Sequence, residues 1–303
     1  MLPIIDAHHH LWDLDACTYP WLREKGVRRF FGDPTPIQKN YLVSHLREDF
    51  GQLPIRSSVH IQVGVAPGDE LQETAWLQQC ADEEGFPNAI VASADLTRSD
   101  LASVLDAQQA HRNLRGIRQI IGRSTEEDRR SGTPKLLDAP AFQQGLKLLA
   151  DRKLSFDLQL TPALLPAAAQ VCSRIPEVSI ALCHAGSLSD FSAAGLRDWM
   201  TGLKALAAHP NTVCKLSGFG MFDPTWQAQQ VIDRGRRAID CFGPQRIMFG
   251  SNFPVDRLYA SYRRVAETFL ETISCFSNAE QAAMAAGTAA AFYRLDDPTE
   301  EPA

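Results

Sequence analysis

A (β/α)8 barrel (TIM barrel) with a long first βα loop is the fold that the sequence predicts, on three observations. Eight short apolar or β-branched runs alternate with longer stretches of helical periodicity, with no break in composition across residues 1–303. Their βαβα order implies a parallel sheet with helical crossovers, and eight such units can close on themselves. An open doubly wound sheet would normally carry a Gly-rich phosphate loop after the first strand, where this chain has histidines. One (β/α)8 domain over 1–303 is therefore expected, with 11–56 inserted as a flap or lid.

The first strand reads at 4–10. In the long connection that follows, only 38–50 has a helical pattern; Trp12, Tyr19, Pro20, Trp21, Phe30 and Phe31 argue against disorder in the earlier part. That part reads either as a lid over the barrel mouth or as a packed flap without a catalytic role. Further strands are expected at 57–63, 89–96, 114–121, 155–161, 178–186, 212–217 and 246–251. Helices are expected at about 69–85, 99–111, 138–152, 163–174, 190–208, 224–242 and 260–276. Ser277, with Glu280 three residues later, forms a capping box that opens a last helix running to about 294.

With 303 residues, 45% of them hydrophobic, the chain can bury one large core. A formal net charge of -6 without a basic cluster excludes nucleic acid and anionic membrane surfaces as partners. Seven cysteines, spread singly and without a C-x-x-C pair, read as reduced, buried thiols of a cytoplasmic protein. The N-terminal residues lack the pattern of a secretory leader, and no apolar run is long enough to span a bilayer. Oligomeric state is left open.

In a closed parallel barrel the C-terminal strand ends share one rim, so polar residues there face one pocket. This chain carries Asp6, His8, His10, His60, Gln62, Asp95, Arg118, Gln159, His184, Lys215 and Asn252 near its strand ends. Side chains alternate along a strand, which predicts Asp6, His8 and His10 on one face and His9 on the other. Two imidazoles at i and i+2 can hold a metal ion or frame a substrate oxygen. With His184 they would make a zinc-type site, although His-x-His alone is a weak signal. His60 reads better as a satisfied core histidine, and His45, His111 and His209 are given no role. Arg118 either meets substrate or pairs with Asp95.

The run from Asp6 to Trp12, with Tyr19-Pro20-Trp21 after it, resembles the amidohydrolase-related lactonases of the 2-pyrone-4,6-dicarboxylate and sugar-acid lactonase group. Further matches are Gly116-Ile117-Arg118-Gln119, Cys183-His184-Ala185-Gly186, Lys215-Leu216-Ser217-Gly218 and Met248 to Val255, so the likeness covers nearly the whole chain. It implies a (β/α)8 hydrolase that opens lactones of sugar acids or aromatic breakdown products, often without a required metal. It also implies that His8, His10 and His184 are active-site histidines and that Arg118 holds a substrate carboxylate.

Asn252 departs from the pattern, since most relatives have an aspartate there as general base. A carboxamide cannot accept a proton usefully near neutral pH. Asp256 or His184 is expected to take the proton. A divalent ion such as zinc, held by His8, His10 and His184, would instead generate hydroxide directly. Lys215 is read as a carbonyl-polarising or a structural group, Gln62 and Gln159 as readers of substrate hydroxyls, and Trp12 as a stacking surface or flap core. The expected substrate is a small anionic or polyhydroxylated molecule. The competing functions are a metal-dependent decarboxylase and a non-catalytic binder of an acidic metabolite.

Overall fold

The computed structural model describes residues 2–296. Eight parallel strands pair in chain order: β1 Ile4–His9, β2 Ile55–Ile61, β3 Ala89–Ser93, β4 Leu114–Arg118, β5 Ser155–Leu158, β6 Ile180–Leu182, β7 Thr212–Leu216 and β8 Ile247–Phe249. At the seam between β8 and β1, Asn252 N donates to His8 O (2.7 Å) and His10 N donates to Phe253 O (2.7 Å). The barrel predicted from the alternating pattern is the barrel observed.

The two faces of each strand account for its sequence. Ile5, Ala7, Val59, Val91, Val213 and Met248 pack together in the lumen, where small and β-branched side chains suit a narrow interior. Ile4, Ile90, Phe156, Leu182, Leu216 and Phe249 join the layer beneath the helices. Ala286, Ala289 and Tyr293 of the last helix belong to the lumen cluster and cover one end of it. That helix runs Asn278–Ala282, a π turn Ala283–Gly287, then Thr288–Tyr293, and the expected Ser277–Glu280 capping box is formed.

Several expectations change in detail. The helix read at 38–50 is Val43–Phe50, because Tyr41 is held in a bridge with Trp12, Tyr41 N donating to Trp12 O at 2.9 Å. A helix at Thr125–Ser131, capped by Ser124, was not anticipated. The strand read at 178–186 is only Ile180–Leu182; after it His184 and Ala185 take left-handed φ of 55 and 46° and leave the ladder.

The most consequential change is in β1. Asp6 pairs with Ser58 and His9 with His60, so three steps on β1 match two on β2. This extra residue is a bulge, and it reverses the alternation. Asp6 therefore does not share a face with His8 and His10. Its carboxylate turns to the helix Tyr262–Ile273, where Tyr262 donates to it at 3.0 Å, and it accepts Ser251 N at 2.9 Å.

Four cysteines (Cys17, Cys172, Cys183, Cys214) are buried free thiols, while Cys80 and Cys241 are half-buried and Cys275 is exposed. Among the described residues, no helix is long and apolar enough to cross a membrane.

Candidate active site

A cavity of about 360 Å³ opens at the C-terminal end of the strands, large enough for a small molecule. Its polar lining includes His10, Arg118, Gln159, His184 and Asn252. These come from β1, β4, β5, β6 and β8 or from the residues just after them, as circular closure of the sheet requires. The first βα connection supplies a roof of Trp12, Trp21, Phe30 and Phe31, together with Arg29. Trp12 Nε1 donates to Lys39 O at 2.6 Å and Trp21 Nε1 to Val63 O at 2.8 Å, so both indoles are anchored as well as facing the cavity.

Two lining residues hold strained backbone. His184 (φ 55°) and Asn252 (φ 56°) adopt the left-handed region that costs a non-glycine residue about 1–2 kcal/mol. His184 is steadied by Ser217, whose Oγ lies 3.0 Å from Nδ1 and accepts the His184 backbone N–H at 3.3 Å. The imidazole lies against Gly218, where a Cβ would come within 2.4 Å of Nδ1. Burial holds His184 well below the usual histidine range, and the Arg118 guanidinium pushes it lower, so the ring is neutral at pH 7.

His10 is pinned at both nitrogens: Nδ1 meets Ile61 O at 2.7 Å and Nε2 lies 3.3 Å from the Asn252 side chain. Burial lowers its pKa to about 3. Asn252 is in turn 3.1 Å from Asp256, whose pKa burial raises to about 7. Asp256 lies behind Asn252, among Phe219, Trp226, Val231 and Phe269, away from the main cavity.

Arg118 is buried at 4% exposure, with Nη1 donating to Gln159 Oε1 (3.0 Å) and Nη2 to Gln62 O. The anticipated alternative, a pair with Asp95, is overturned: Asp95 accepts from Thr97 and Gln119 instead. Among the described residues no carboxylate hydrogen-bonds Arg118, which carries its charge into the cavity, and its Nε lacks a partner there. Gln62 does not line the cavity; its Oε1 accepts Gly64 N at 2.6 Å. His60 is buried off the cavity and its Nδ1 accepts Leu11 N at 3.1 Å, but its buried Nε2 has no partner among the described residues, so the expected satisfied core histidine is only half satisfied.

Lys215 lies beneath the cavity. Its ammonium pairs with Asp157 and donates to Ala7 O at 2.7 Å, with both partners of the pair fully buried. Tyr293 donates to the same carboxylate at 2.9 Å.

His8, His10 and His184 are gathered, with ring centroids 5.2 Å apart for His8–His10 and 4.5 Å for His8–His184. Their ligand nitrogens do not all approach within 4.8 Å; the group of described residues that does is His8, Asp157 and Cys183. His8 suits a metal ligand, since both its buried ring nitrogens lack a partner. The other two do not suit it as they stand. Asp157 is neutralised by Lys215, and burial pushes the Cys183 thiol up to about 12. An ion here would have to displace an ammonium and a thiol proton. The group is the candidate for a divalent ion, and Lys215 already supplies its positive charge.

Asp157, Arg29, Arg123 and Glu127 were missed in the sequence. Two signals were available. The alternation that points Gln159 inward also points Asp157 inward, and Ser124 three residues before Glu127 is a helix-cap pattern that places Arg123 at the rim.

The chain matches the amidohydrolase family over residues 5–295. It is 38% identical to an uncharacterised protein, y4mH, of Sinorhizobium fredii, over 97% of this chain and 99% of that one. It is 32% identical to an L-fucono-1,5-lactonase of Burkholderia multivorans, over 98% of this chain and 97% of the relative. A crystal structure of a Burkholderia multivorans amidohydrolase with bound zinc superposes with a TM-score of 0.82 at 30% identity, covering 97% of this chain and all (100%) of that one. With the barrel, the histidine cluster at its mouth and these likenesses together, the chain belongs to the amidohydrolase family.

Proposed function

We propose that this protein is a lactonase, opening the ring of a small anionic lactone with water activated at His184. The observation that carries the reading is the pairing, in one cavity, of a free imidazole edge on His184 with a buried, carboxylate-free guanidinium on Arg118. The lactonase relative supports the reaction type, and a buried cation without a carboxylate partner supports an anionic substrate.

The chemistry follows from the residues. Arg118 keeps a further N–H on each terminal nitrogen and can grip a substrate carboxylate in two parallel hydrogen bonds. In the tautomer that gives Nδ1–H to Ser217 Oγ, Nε2 of His184 is the bare nitrogen that takes a proton from the attacking water and returns it to the ring oxygen as the acyl C–O bond breaks. An anion on Arg118 cancels part of the field that keeps His184 low, so binding of the correct substrate itself makes the base stronger. Asn252, when its NH2 is turned to the cavity, offers an amide N–H to the carbonyl oxygen as negative charge develops there, an interaction of about 3 kcal/mol when preorganised. Gln159 and the Trp12–Trp21 roof orient the rest of the ring, and the first βα connection acts as the lid.

The Burkholderia multivorans amidohydrolase binds zinc. His8, Asp157 and Cys183 are the residues that would hold a divalent ion, once the Lys215 ammonium and the thiol proton were displaced. The test is ring opening of a panel of sugar-acid and carboxylated lactones, followed by acid release with and without a chelator. Opening that survives chelation supports the His184 route, and opening abolished by it and restored by zinc supports the metal. No opening of any lactone, with carbon dioxide released from aromatic acids, would replace the reading by a decarboxylase. Tight binding without turnover would leave a binder. His184→Ala is expected to lower kcat/KM by roughly 10²–10⁴-fold with the fold retained, by circular dichroism.

A further inference from the structure

The bond pattern around Asn252 contains a count of protons. His10 Nδ1 faces the carbonyl oxygen of Ile61 at 2.7 Å, and a carbonyl only accepts, so Nδ1 carries the hydrogen. A neutral His10 then has a bare lone pair on Nε2, the atom 3.3 Å from Asn252 Oδ1, and two lone pairs cannot bond each other. Only the amide NH2 can satisfy it. In the structure Asn252 Nδ2 donates to Asp256 Oδ1 at 3.1 Å; turning the NH2 to His10 instead sets the Asn252 carbonyl oxygen against Asp256, where it needs a donor, and a carboxyl group donates only when protonated. The orientation in the structure, with the NH2 on Asp256 and the oxygen against the His10 lone pair, is the one an ionised Asp256 favours.

We propose that Asp256 is a positioning residue that acts through Asn252: as a neutral acid it turns the amide NH2 toward His10 and the cavity, and as a carboxylate it turns the amide oxygen there. The proposal rests on the lactonase reading for its catalytic consequence and on geometry for the switch itself. Asn252 lines the cavity and Asp256 does not, so the substrate meets the amide and the acid sets which end it meets. A donor there stabilises a developing oxyanion, whereas an acceptor repels it.

The surroundings suit a carboxyl group that changes charge near neutrality. Burial alone brings Asp256 to about 7, against the opposing pull of Asn252 and of the Gly220 and Met221 backbone N–H groups. Leu216 and Phe249 from the strands, Val231 from the helix Ala228–Phe242, and Val265 and Thr268 from Tyr262–Ile273 face the same pocket without a charge. In its own turn, Arg257 is spent on Asp49 and the Tyr259 hydroxyl on Phe31 O. The neutral His10 edge lies beyond Asn252.

The test combines Asp256→Asn with a readout that needs no turnover. An asparagine at 256 donates an N–H to the Asn252 oxygen at every pH. In wild-type protein labelled with 15N-asparagine, the Asn252 side-chain NH2 resonances, identified by their loss in Asn252→Ser, should shift with a midpoint near neutrality. The 13C signal of the Asp256 carboxyl should follow the same midpoint. In Asp256→Asn the NH2 resonances should stay constant from pH 5.5 to 8.5. If lactone opening is present, wild-type kcat/KM should fall at least tenfold above that midpoint, and Asp256→Asn should hold within about threefold of the wild-type maximum throughout. Resonances indifferent to pH in the wild type would overturn the switch, whether or not any lactone is opened. An Asp256→Asn enzyme that is dead at every pH would overturn it too, because Asp256 would then be needed as a carboxylate.

Discussion

Arg118 and His184 set the chemistry at the scale of single residues, and both are unusual for the same reason: each is an ionisable group buried almost completely beside the other. Arg118→Lys keeps the charge but loses the planar fork, so the carboxylate is held by one bond in place of two. The expected result is a rise in KM of roughly 10–100-fold for carboxylated lactones, with a smaller change for uncharged ones. Equal losses on both substrate types would show that Arg118 only braces Gln159 and the Gln62 backbone. Arg118, Gln159, His184 and Asn252 were legible because polar residues at the ends of apolar strands are costly unless used. Asp256 was legible as a candidate but not in its place, since four residues of loop can turn a side chain toward the cavity or behind it, and here Asn252 stands between.

Elements matter through how closely their backbones approach the imidazoles. The turn after β7 carries Gly218 at φ +66°, and the His184 ring rests on it. The end of β8 carries Gly250, where a Cβ would come within 2.6 Å of His8 Cβ. Gly218→Ala is therefore expected to displace His184 and to lower kcat/KM by about 100-fold or more, with a stability loss of about 1–2 kcal/mol for the left-handed backbone. Urea unfolding and kinetics on the same preparation separate the two effects. Unchanged kinetics in a folded variant would mean the ring is not held where this turn places it. The bulge in β1 is the other decisive element. It puts His8 and His10 inside and Asp6 outside, although strict alternation puts all three together.

Across the whole molecule, buried ionisable groups link stability to pH in two opposing ways. His8, His9, His10, His60 and His184 are all held below the ordinary histidine value by burial, so the unfolded chain binds protons there that the folded chain refuses below pH 6.5. Asp6 (about 6), Glu73 (about 7) and Asp256 (about 7) are raised by burial. They contribute stability below the unfolded carboxyl range that is lost as pH rises through 6–7. Near pH 5.5 the five imidazoles outweigh the three carboxyl groups by about two protons, so stability should rise with pH by roughly 3 kcal/mol per unit and level off close to pH 7. A melting temperature that stayed flat or rose on acidification from 6.5 to 5 would contradict this balance. The Lys215–Asp157 pair adds a separate test. Lys215→Met leaves a buried carboxylate with only the Tyr293 hydroxyl and the weak Cys183 thiol donor beside it and should cost about 3–5 kcal/mol in chemical denaturation.

Periodicity, strand count and polar strand ends are local properties of the chain, and from them the sequence alone determined the barrel, the long first connection and most of the residues around the cavity. What only the tertiary structure decided depends on register and on contacts between distant segments. It turned Asp6 outward, paired Asp157 with Lys215 and Tyr293, freed Arg118 from Asp95, and set Asp256 behind Asn252. One inserted residue in a ladder reverses every side chain beyond it, and a buried charge settles on whichever partner the packed fold brings within reach. Neither is encoded in the spacing of residue types along one strand.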